Sequence, residues 1–255
     1  VRKFSAALLF LFLATAARGE WKIVSAQSEP SAAPGLEHRQ VVLENSEDGN
    51  RATIDLALFS AKSCALRVID NADGASNLAE TMLREKCVAG VNGGYFDTNF
   101  APIGLRILSG KVLVPLIRAR LLTGILTSSS RGIQIVRVGE FSRGQRLDAA
   151  IECGPCLVDL ALPVRGLDGN RSARRTFAAV DRHDRAALGF CTDVSLAELG
   201  RILSTAAPAG DFKIWRALNF DGGSSSAFWL KRKDGAAISI SEQKTVRDFV
   251  VVVPK

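Results

Sequence analysis

Histidine is nearly absent from this chain, with His38 and His183 the only two among 255 residues. That scarcity argues against a zinc centre built from imidazole and thiolate ligands. The run Asp181-Arg182-His183-Asp184 reads instead as a hairpin turn, and no motif supports a hard cation held by carboxylates. No metal and no cofactor are expected. Long apolar runs are missing beyond the first twenty residues, whereas a membrane-spanning helix needs roughly 20 apolar residues in succession. Basic residues number 33 against 26 acidic ones. However, Arg118, Arg120, Arg131, Arg137, Arg143 and Arg146 are dispersed and not interleaved with aromatics, which argues against a nucleic-acid partner. There is no internal repeat and no second linker.

What is present begins with an export signal. Arg2 and Lys3 precede an apolar stretch from Phe4 to Leu13, followed by small residues around Ala17-Arg18-Gly19. This order reads as a signal peptide over residues 1–19, too short to span a bilayer. Cleavage after Gly19 lowers the formal charge of +7 by three, to +4. Residues 20–36, rich in Ser, Ala and Pro towards their end, read as a flexible leader. Residues 37–255 then form a single domain of ordinary size. The expected location is periplasmic or secreted, with no stable membrane insertion after cleavage. In such a compartment the five cysteines, Cys64, Cys87, Cys153, Cys156 and Cys191, are free to pair, and their odd number leaves at least one thiol unpaired within the chain.

Apolar alternation predicts strands over Arg51–Phe59, Cys64–Ile69, Cys87–Val91, Leu121–Thr127, Ile133–Val138, Ile151–Leu162, Thr176–Asp181, Ala186–Thr192, Ala217–Phe220, Ala227–Leu230 and Phe249–Val253. Ile103–Leu108 and Val112–Leu116 read as a hairpin around Ser109-Gly110-Lys111. Asn77–Lys86 reads as a helix with Leu78, Met82 and Leu83 on one face, and Ser195-x-x-Glu198 is a capping box opening a second helix. The expected class is α+β, a mixed, largely antiparallel sheet system with a few flanking helices.

Two glycine pairs leave predicted strands, Asn92-Gly93-Gly94-Tyr95-Phe96-Asp97 and Asn219-Phe220-Asp221-Gly222-Gly223-Ser224. Glycine lets the main chain approach a ligand closely, and its N–H groups can form a concave anion site. Between the pairs lie Glu152-Cys153-Gly154-Pro155-Cys156 and Arg174-Arg175-Thr176. An arginine entering a strand can present a planar, permanently charged fork to a phosphate. The competing reading of Asp97 and Asp221 is that they cap turns. Cys153-Gly-Pro-Cys156 matches the thioredoxin active-site tetrapeptide, but that chemistry needs a helix N-terminus to activate the first thiol. Here a strand follows, no tryptophan precedes, and the redox reading is rejected.

The ordered set Asn92-Gly-Gly-Tyr-Phe-Asp97, Pro102-Ile-Gly-Leu105, Gly154-Pro155-x-Leu-Val158, Arg174-Arg-Thr176 and Asn219-Phe-Asp-Gly-Gly-Ser224 resembles the phosphodiester glycosidase family, over roughly Ile54 to Val253. Glu152 departs from the neutral polar residue common there, and Cys153 and Cys156 are not general family features. The resemblance implies an exported hydrolase that cleaves between a sugar's anomeric carbon and a phosphate oxygen. It releases free sugar and a phosphate monoester from a small-molecule or glycan phosphodiester. On that reading Asp221 is the carboxylate at the anomeric centre, with Glu152 and Asp97 as candidate second acid or base. Arg175, Arg174 as the lesser partner, Thr176 and the loops Gly93-Gly94 and Gly222-Gly223-Ser224 hold the phosphate. Asn92 and Tyr95 bind sugar hydroxyls or orient the site. The alternative is a non-catalytic periplasmic module that binds glycans or phosphoglycans in the same cleft.

Overall fold

A computed structural model describes residues 19–255. The expected signal peptide falls, but for Gly19, on residues 1–18, outside the described part. In chain order the first strands are β1 (Trp21–Pro30), β2 (Leu36–Asn45), β3 (Arg51–Ser60) and β4 (Cys64–Asp70), then helix α1 (Leu78–Arg84) and β5 (Ala89–Asn92). Next come β6 (Arg106–Leu108), β7 (Lys111–Val114), β8 (Gly124–Ser129), β9 (Gly132–Arg137), β10 (Ala149–Cys153), β11 (Cys156–Asp159) and β12 (Leu162–Pro163). The chain ends with β13 (Ala173–Val180), β14 (Arg185–Val194), helix α2 (Leu196–Arg201), β15 (Arg216–Asn219), β16 (Phe228–Lys231), β17 (Ala237–Ile240) and β18 (Asp248–Pro254).

These strands form three antiparallel sheets. The largest has the order β1-β2-β3-β14-β13-β15-β11-β12, and two five-stranded sheets run β7-β6-β10-β8-β9 and β17-β16-β5-β18-β4. The main core lies where all three meet, with Phe59, Leu188 and Phe190 from the first sheet, Leu126, Ile135 and Ile151 from the second, and Val91, Phe228 and Val250 from the third. The α+β expectation is therefore corrected to a nearly all-β fold, 47 % strand against 10 % helix. In an α+β protein helices cover sheet faces. Here sheets cover one another, and the two α-helices, of 7 and 6 residues, each pack on a separate apolar cluster.

Both helices begin as their sequences predict. Asn77 Oδ1 accepts from Glu80 N at 2.9 Å while Glu80 Oε2 accepts from Asn77 N at 3.0 Å, and Ser195 with Glu198 repeats the reciprocal pattern. Such caps satisfy main-chain donors that the helix itself cannot. On α1 the buried stripe is Leu78, Thr81 and Met82, while Leu83 is 68 % exposed, one position past the face it was expected to share. The single strand expected over Ile151–Leu162 is two, β10 and β11. They belong to different sheets, because the chain crosses between them at Gly154-Pro155.

The flexible leader expected over residues 20–36 is also corrected. Residues 21–30 form strand β1, paired with β2 from Trp21↔Asn45 to Pro30↔Glu37 with one bulge. Composition misled here because β1 is an edge strand with mostly exposed side chains, so only main-chain pairing and its two ends hold it. Trp21, 5 % exposed, is the apolar anchor. Trp21→Ala should lower unfolding free energy by about 3 kcal/mol, the usual scale for emptying a buried aromatic site. A denaturant titration indistinguishable from that of the parent protein would show that the leader is not part of the fold.

Candidate functional site

The site is built where the eight-stranded sheet meets the sheet that carries β5. Strand β15 pairs with β13 so that Asn219 faces Phe177, and this places the turn after β15 beside Arg175 and Thr176. Asn92, at the end of β5 and wholly buried, ties the elements together. Its Nδ2 donates to Asp221 O at 2.8 Å, and its Oδ1 accepts from Ala227 N at 3.0 Å. Thr176 Oγ1 lies 2.8 Å from Asn92 Oδ1 and 3.0 Å from Asp221 O. Asp221 N donates to Gly93 O at 3.1 Å. The two glycine turns, 129 positions apart, are thus stitched edge to edge. The polar side-chain atoms of Asn92 and Thr176 are committed to protein partners.

The first glycine pair has a different use from the anion cradle expected of it. Gly93 N donates to Asp248 O at 2.7 Å and Gly94 N to Asp248 Oδ1 at 2.7 Å, so neither is open to a ligand. A Cβ on Gly93 would sit 1.8 Å from Asp248 Oδ1, and one on Gly94 would sit 2.2 Å from Arg106 Nη2. Asp248 Oδ2 in turn receives Arg106 Nε at 2.7 Å, with the two side chains 2 % and 1 % exposed. The glycines are required because a fully buried ion pair is pressed against the turn. Arg106 also donates to the carbonyls of Ile103, Leu105 and Glu152. Sequence reasoning missed both charges. The available signal was an arginine inside the apolar run Ile103–Leu108 and an aspartate opening Phe249–Val253, since a charge in such a run must find a partner.

Asp221 is partly open. Gly222 N donates to its Oδ1 at 3.0 Å and the Ser225 hydroxyl to its Oδ2, which leaves each oxygen with further acceptor capacity. Burial pushes its carboxyl above the ordinary aspartate range, and Asp248 adds to the rise, against the opposing pull of Ser225, Lys244 and Gly222 N–H. Beside it, Arg175 is 7 % exposed. Its Nε donates to Val194 O at 3.0 Å and its Nη2 to Arg171 O at 2.6 Å. Nη1 has no hydrogen-bond acceptor and stands against Gly222, 3.4 Å from where a Cβ would be. No carboxylate among the described residues pairs with this guanidinium, and burial lowers its pKa. Among the described residues the N–H groups of Gly223 and Ser224 also find no protein acceptor. A buried cation edge, two free N–H groups and a half-open carboxylate therefore share one corner.

The remaining expected residues fall around this corner unevenly. The Tyr95 hydroxyl donates to Gly154 O at 2.6 Å and receives Asn219 Nδ2 at 3.3 Å. Burial, with Cys153 and Asp221 adding to it, raises its pKa far enough to keep it protonated. Arg174 reaches elsewhere, clamping the carbonyls of Ser226 and Ser241 and stacking on Phe190 at 5.1 Å. Asp97 is exposed and caps its own turn, accepting from Asn99 N at 2.8 Å and Ala101 N at 2.9 Å. Glu152 is wholly buried and lies on the face of β10 that Ala150 shares, where Leu105 N donates to it at 2.8 Å and Ile117 N at 3.3 Å. The structure does not bring Asp97 or Glu152 into contact with Asp221. Ser225, which grips the Asp221 carboxylate, lies one position past the motif Asn219–Ser224 and was given no role by the sequence.

The thiols are inert by the same criteria. All five cysteines are free and buried. Burial pushes Cys153 up to about 12 and raises Cys156 as well, the reverse of what a redox-active pair needs. Asp181 Oδ1 accepts from His183 N and Arg185 N, which makes residues 181–184 the expected hairpin turn between β13 and β14. A cleft of about 510 Å³ lies elsewhere, between β1–β3 and residues 209–212, and two of the charges lining it, Arg185 and Asp211, pair with each other at 3.1 Å.

A family model described as phosphodiester glycosidase matches residues 85–253, a span that contains all of the residues of the Asp221 corner. No curated protein matches the sequence. Among solved structures, the catalytic domain of zebrafish N-acetylglucosamine-1-phosphodiester alpha-N-acetylglucosaminidase, auto-inhibited by its pro-peptide, superposes with a TM-score of 0.65 at 15 % identity, covering 91 % of this chain and 89 % of that one. A hypothetical protein from Synechocystis gives 0.62 at 16 % identity, over 87 % of this chain and 62 % of that one. A Burkholderia pseudomallei protein described as exported gives 0.57 at 13 % identity, over 81 % and 75 %. At such identities the likeness is one of fold.

The ion pair under the first turn makes a separate test. Asp248→Ala should destabilise the protein by about 3–5 kcal/mol in urea unfolding, because Arg106 is left charged and buried without its partner. A loss below 1 kcal/mol would show that water reaches the pair and that it does not hold the turn.

Proposed function

This chain belongs to the phosphodiester glycosidase family, and on that premise we propose that it is an exported hydrolase of glycosyl phosphate diesters, cleaving the anomeric C–O bond. The observation that carries this reading is that the uncommitted Nη1 edge of Arg175 stands against Gly222, next to the partly open Asp221 carboxylate. Arg175 is held by two carbonyls and not by a carboxylate, so its charge is available to a phosphoryl oxygen. The free N–H groups of Gly223 and Ser224 would complete the anion contact.

In the proposed reaction the substrate lies with its anomeric carbon at Asp221 and its phosphate against Arg175. The C–O bond to phosphate breaks with its electron pair going to the phosphate oxygen. The sugar passes through an oxocarbenium-like state that the Asp221 carboxylate stabilises or attacks, and water supplies the hydroxyl of the released sugar. The leaving phosphate monoester is already an anion, so Arg175 can stabilise it with no strong general acid. That agrees with a corner in which neither Asp97 nor Glu152 touches Asp221. Periplasmic or secreted placement is part of the proposal and rests on the Arg2–Gly19 pattern in the sequence.

Incubating the purified protein with a panel of sugar-1-phosphate diesters should release free sugar. Asp221→Asn and Arg175→Ala should each reduce turnover at least a hundredfold while circular dichroism stays unchanged. Saturable binding of the same diesters with no sugar released would favour the non-catalytic module instead. The pH dependence has a definite sign. The reactive form is the carboxylate and burial raises its pKa, so turnover should climb with pH through a midpoint above the usual aspartate range. A pH profile flat from 4 to 7 would contradict this role. Stability runs the other way. A carboxyl whose folded pKa is raised contributes fully below its unfolded pKa, and that contribution is lost as pH rises through the folded value. Asp221→Asn should therefore melt higher than the parent protein at neutral pH, with the gap closing as the solution is acidified.

A further inference from the structure

From the edge strand β7 and the segment that follows it, we infer that residues Lys111–Leu121 dock this protein on an anionic lipid surface beside the Asp221 corner. The segment reads Lys-Val-Leu-Val-Pro-Leu-Ile-Arg-Ala-Arg-Leu. Val112 is 62 %, Leu113 50 %, Ile117 37 % and Leu121 47 % exposed, a run of aliphatic side chains left in water within eleven residues. Isolated exposed leucines are ordinary, but a continuous apolar stretch rimmed by polar groups marks an interaction surface.

Charge selects the partner. No acidic residue occurs between Asp97 and Glu140, a span with six basic ones. Arg106 and Arg137 are paired with Asp248 and Asp159. Lys111, Arg118, Arg120 and Arg131 are exposed, and no carboxylate among the described residues lies within 4.0 Å of them. A second copy of the chain would bring these like charges together. Nucleic acid would call for aromatic platforms, and the segment has none. Aliphatic side chains interleaved with unpaired cations fit the boundary between headgroups and acyl chains, where each basic residue near an anionic surface strengthens partitioning roughly fivefold. The segment is too short to span a bilayer, so the contact is peripheral.

The segment is also tied down next to the site. Lys111 pairs with Leu108, Ile117 N donates to Glu152 at 3.3 Å, Leu122 N to Ala119 O at 3.1 Å, and Thr123 N to Cys153 O at 3.1 Å. The Leu121 carbonyl lies against Gly154, whose own oxygen receives the Tyr95 hydroxyl. A surface bound by Lys111–Leu121 would therefore lie on the Gly154–Tyr95 side of the Asp221 corner.

Vesicle co-sedimentation tests this without any turnover, so the result is independent of the proposed hydrolysis. The protein should bind vesicles of phosphatidylglycerol and phosphatidylcholine, and bind at least tenfold more weakly to phosphatidylcholine alone or in 0.5 M salt. R118E/R120E should lose binding at least tenfold with an unchanged melting temperature. V112S/L113S should weaken it several-fold with all charges intact. If the reversed charges perturb folding, R118Q/R120Q and the salt series give the same reading. Equal binding to neutral and anionic vesicles, or undiminished binding by both variants, overturns the inference. So does failure to bind vesicles combined with concentration-dependent dimerisation in light scattering, which would assign the face to a second copy.

Discussion

One amide side chain sets the geometry on which the site depends. Asn92 offers a donor and an acceptor in a fixed plane, and both are used across three elements, the turn after β15, the Thr176 hydroxyl on β13 and Ala227 before β16. Strands of different sheets share no ladder, so beyond the single main-chain bond from Asp221 N to Gly93 O nothing in their pairing fixes how the exit of β5 stands against the exit of β15. A buried amide does so, because leaving either of its polar ends unmatched costs more than a typical hydrogen bond contributes. Replacement by aspartate would remove the donor to Asp221 O, and replacement by leucine would remove both, so neither could keep the register between the turns.

Below that link lies a second constraint of a more expensive kind. Arg106 and Asp248 are withdrawn from water almost completely, and such a pair is only marginally favourable even when well made. Its place in this fold is positional. Asp248 takes both N–H groups of the Gly93-Gly94 turn, and Arg106 collects carbonyls from the loop at 103–105 and from Glu152. The pair thus joins strand β18, the first glycine turn and the start of β6 into one rigid floor, with Asn92 directing the second turn above it. The Asp221 corner can then be open on one side without losing its shape.

Those dependencies explain what could be read before the fold was known. Local patterns were legible wherever a residue's partners lie close in sequence. The capping boxes at Asn77 and Ser195, the hairpin turn at 181–184 and strands such as Arg51–Ser60 all emerged with boundaries near those expected. The convergence of Asn92 with Asp221 came from the ordered motifs, and the structure joins these two turns directly. Illegible features depend on contacts distant in sequence. Strand β1 looks like linker because its side chains are exposed, and only its pairing with β2 reveals it. Arg174 and Arg175 are neighbours in sequence, but they point to opposite sides of one strand. One becomes a clamp on Ser226 and Ser241, the other a cation at the corner. The Gly93-Gly94 pair and the Gly222-Gly223 pair look alike as text. The first is glycine because an ion pair fills the space of its side chains, while in the second Gly223 turns at positive φ beside open space and Gly222 stands against Arg174 O and Arg175 Nη1.

The division of labour at the corner follows from where charge is needed. A glycosidase acting on a neutral leaving group must supply a proton, and for that it needs a second carboxyl group held near the first. Here the departing atom is expected to be a phosphate oxygen whose charge is already present in the substrate. The demand shifts from proton donation to binding an anion without neutralising it beforehand. An arginine anchored by carbonyls meets that demand better than one paired with a carboxylate, since its charge is not spent inside the protein. The same reasoning explains why Asp221 can tolerate burial. Burial disfavours its ionised form, and in the proposed reaction a substrate bringing developing positive charge at the anomeric carbon would restore what burial removes. Desolvation that costs stability in the folded protein would then return as stronger attraction between carboxylate and oxocarbenium in a medium of low dielectric constant.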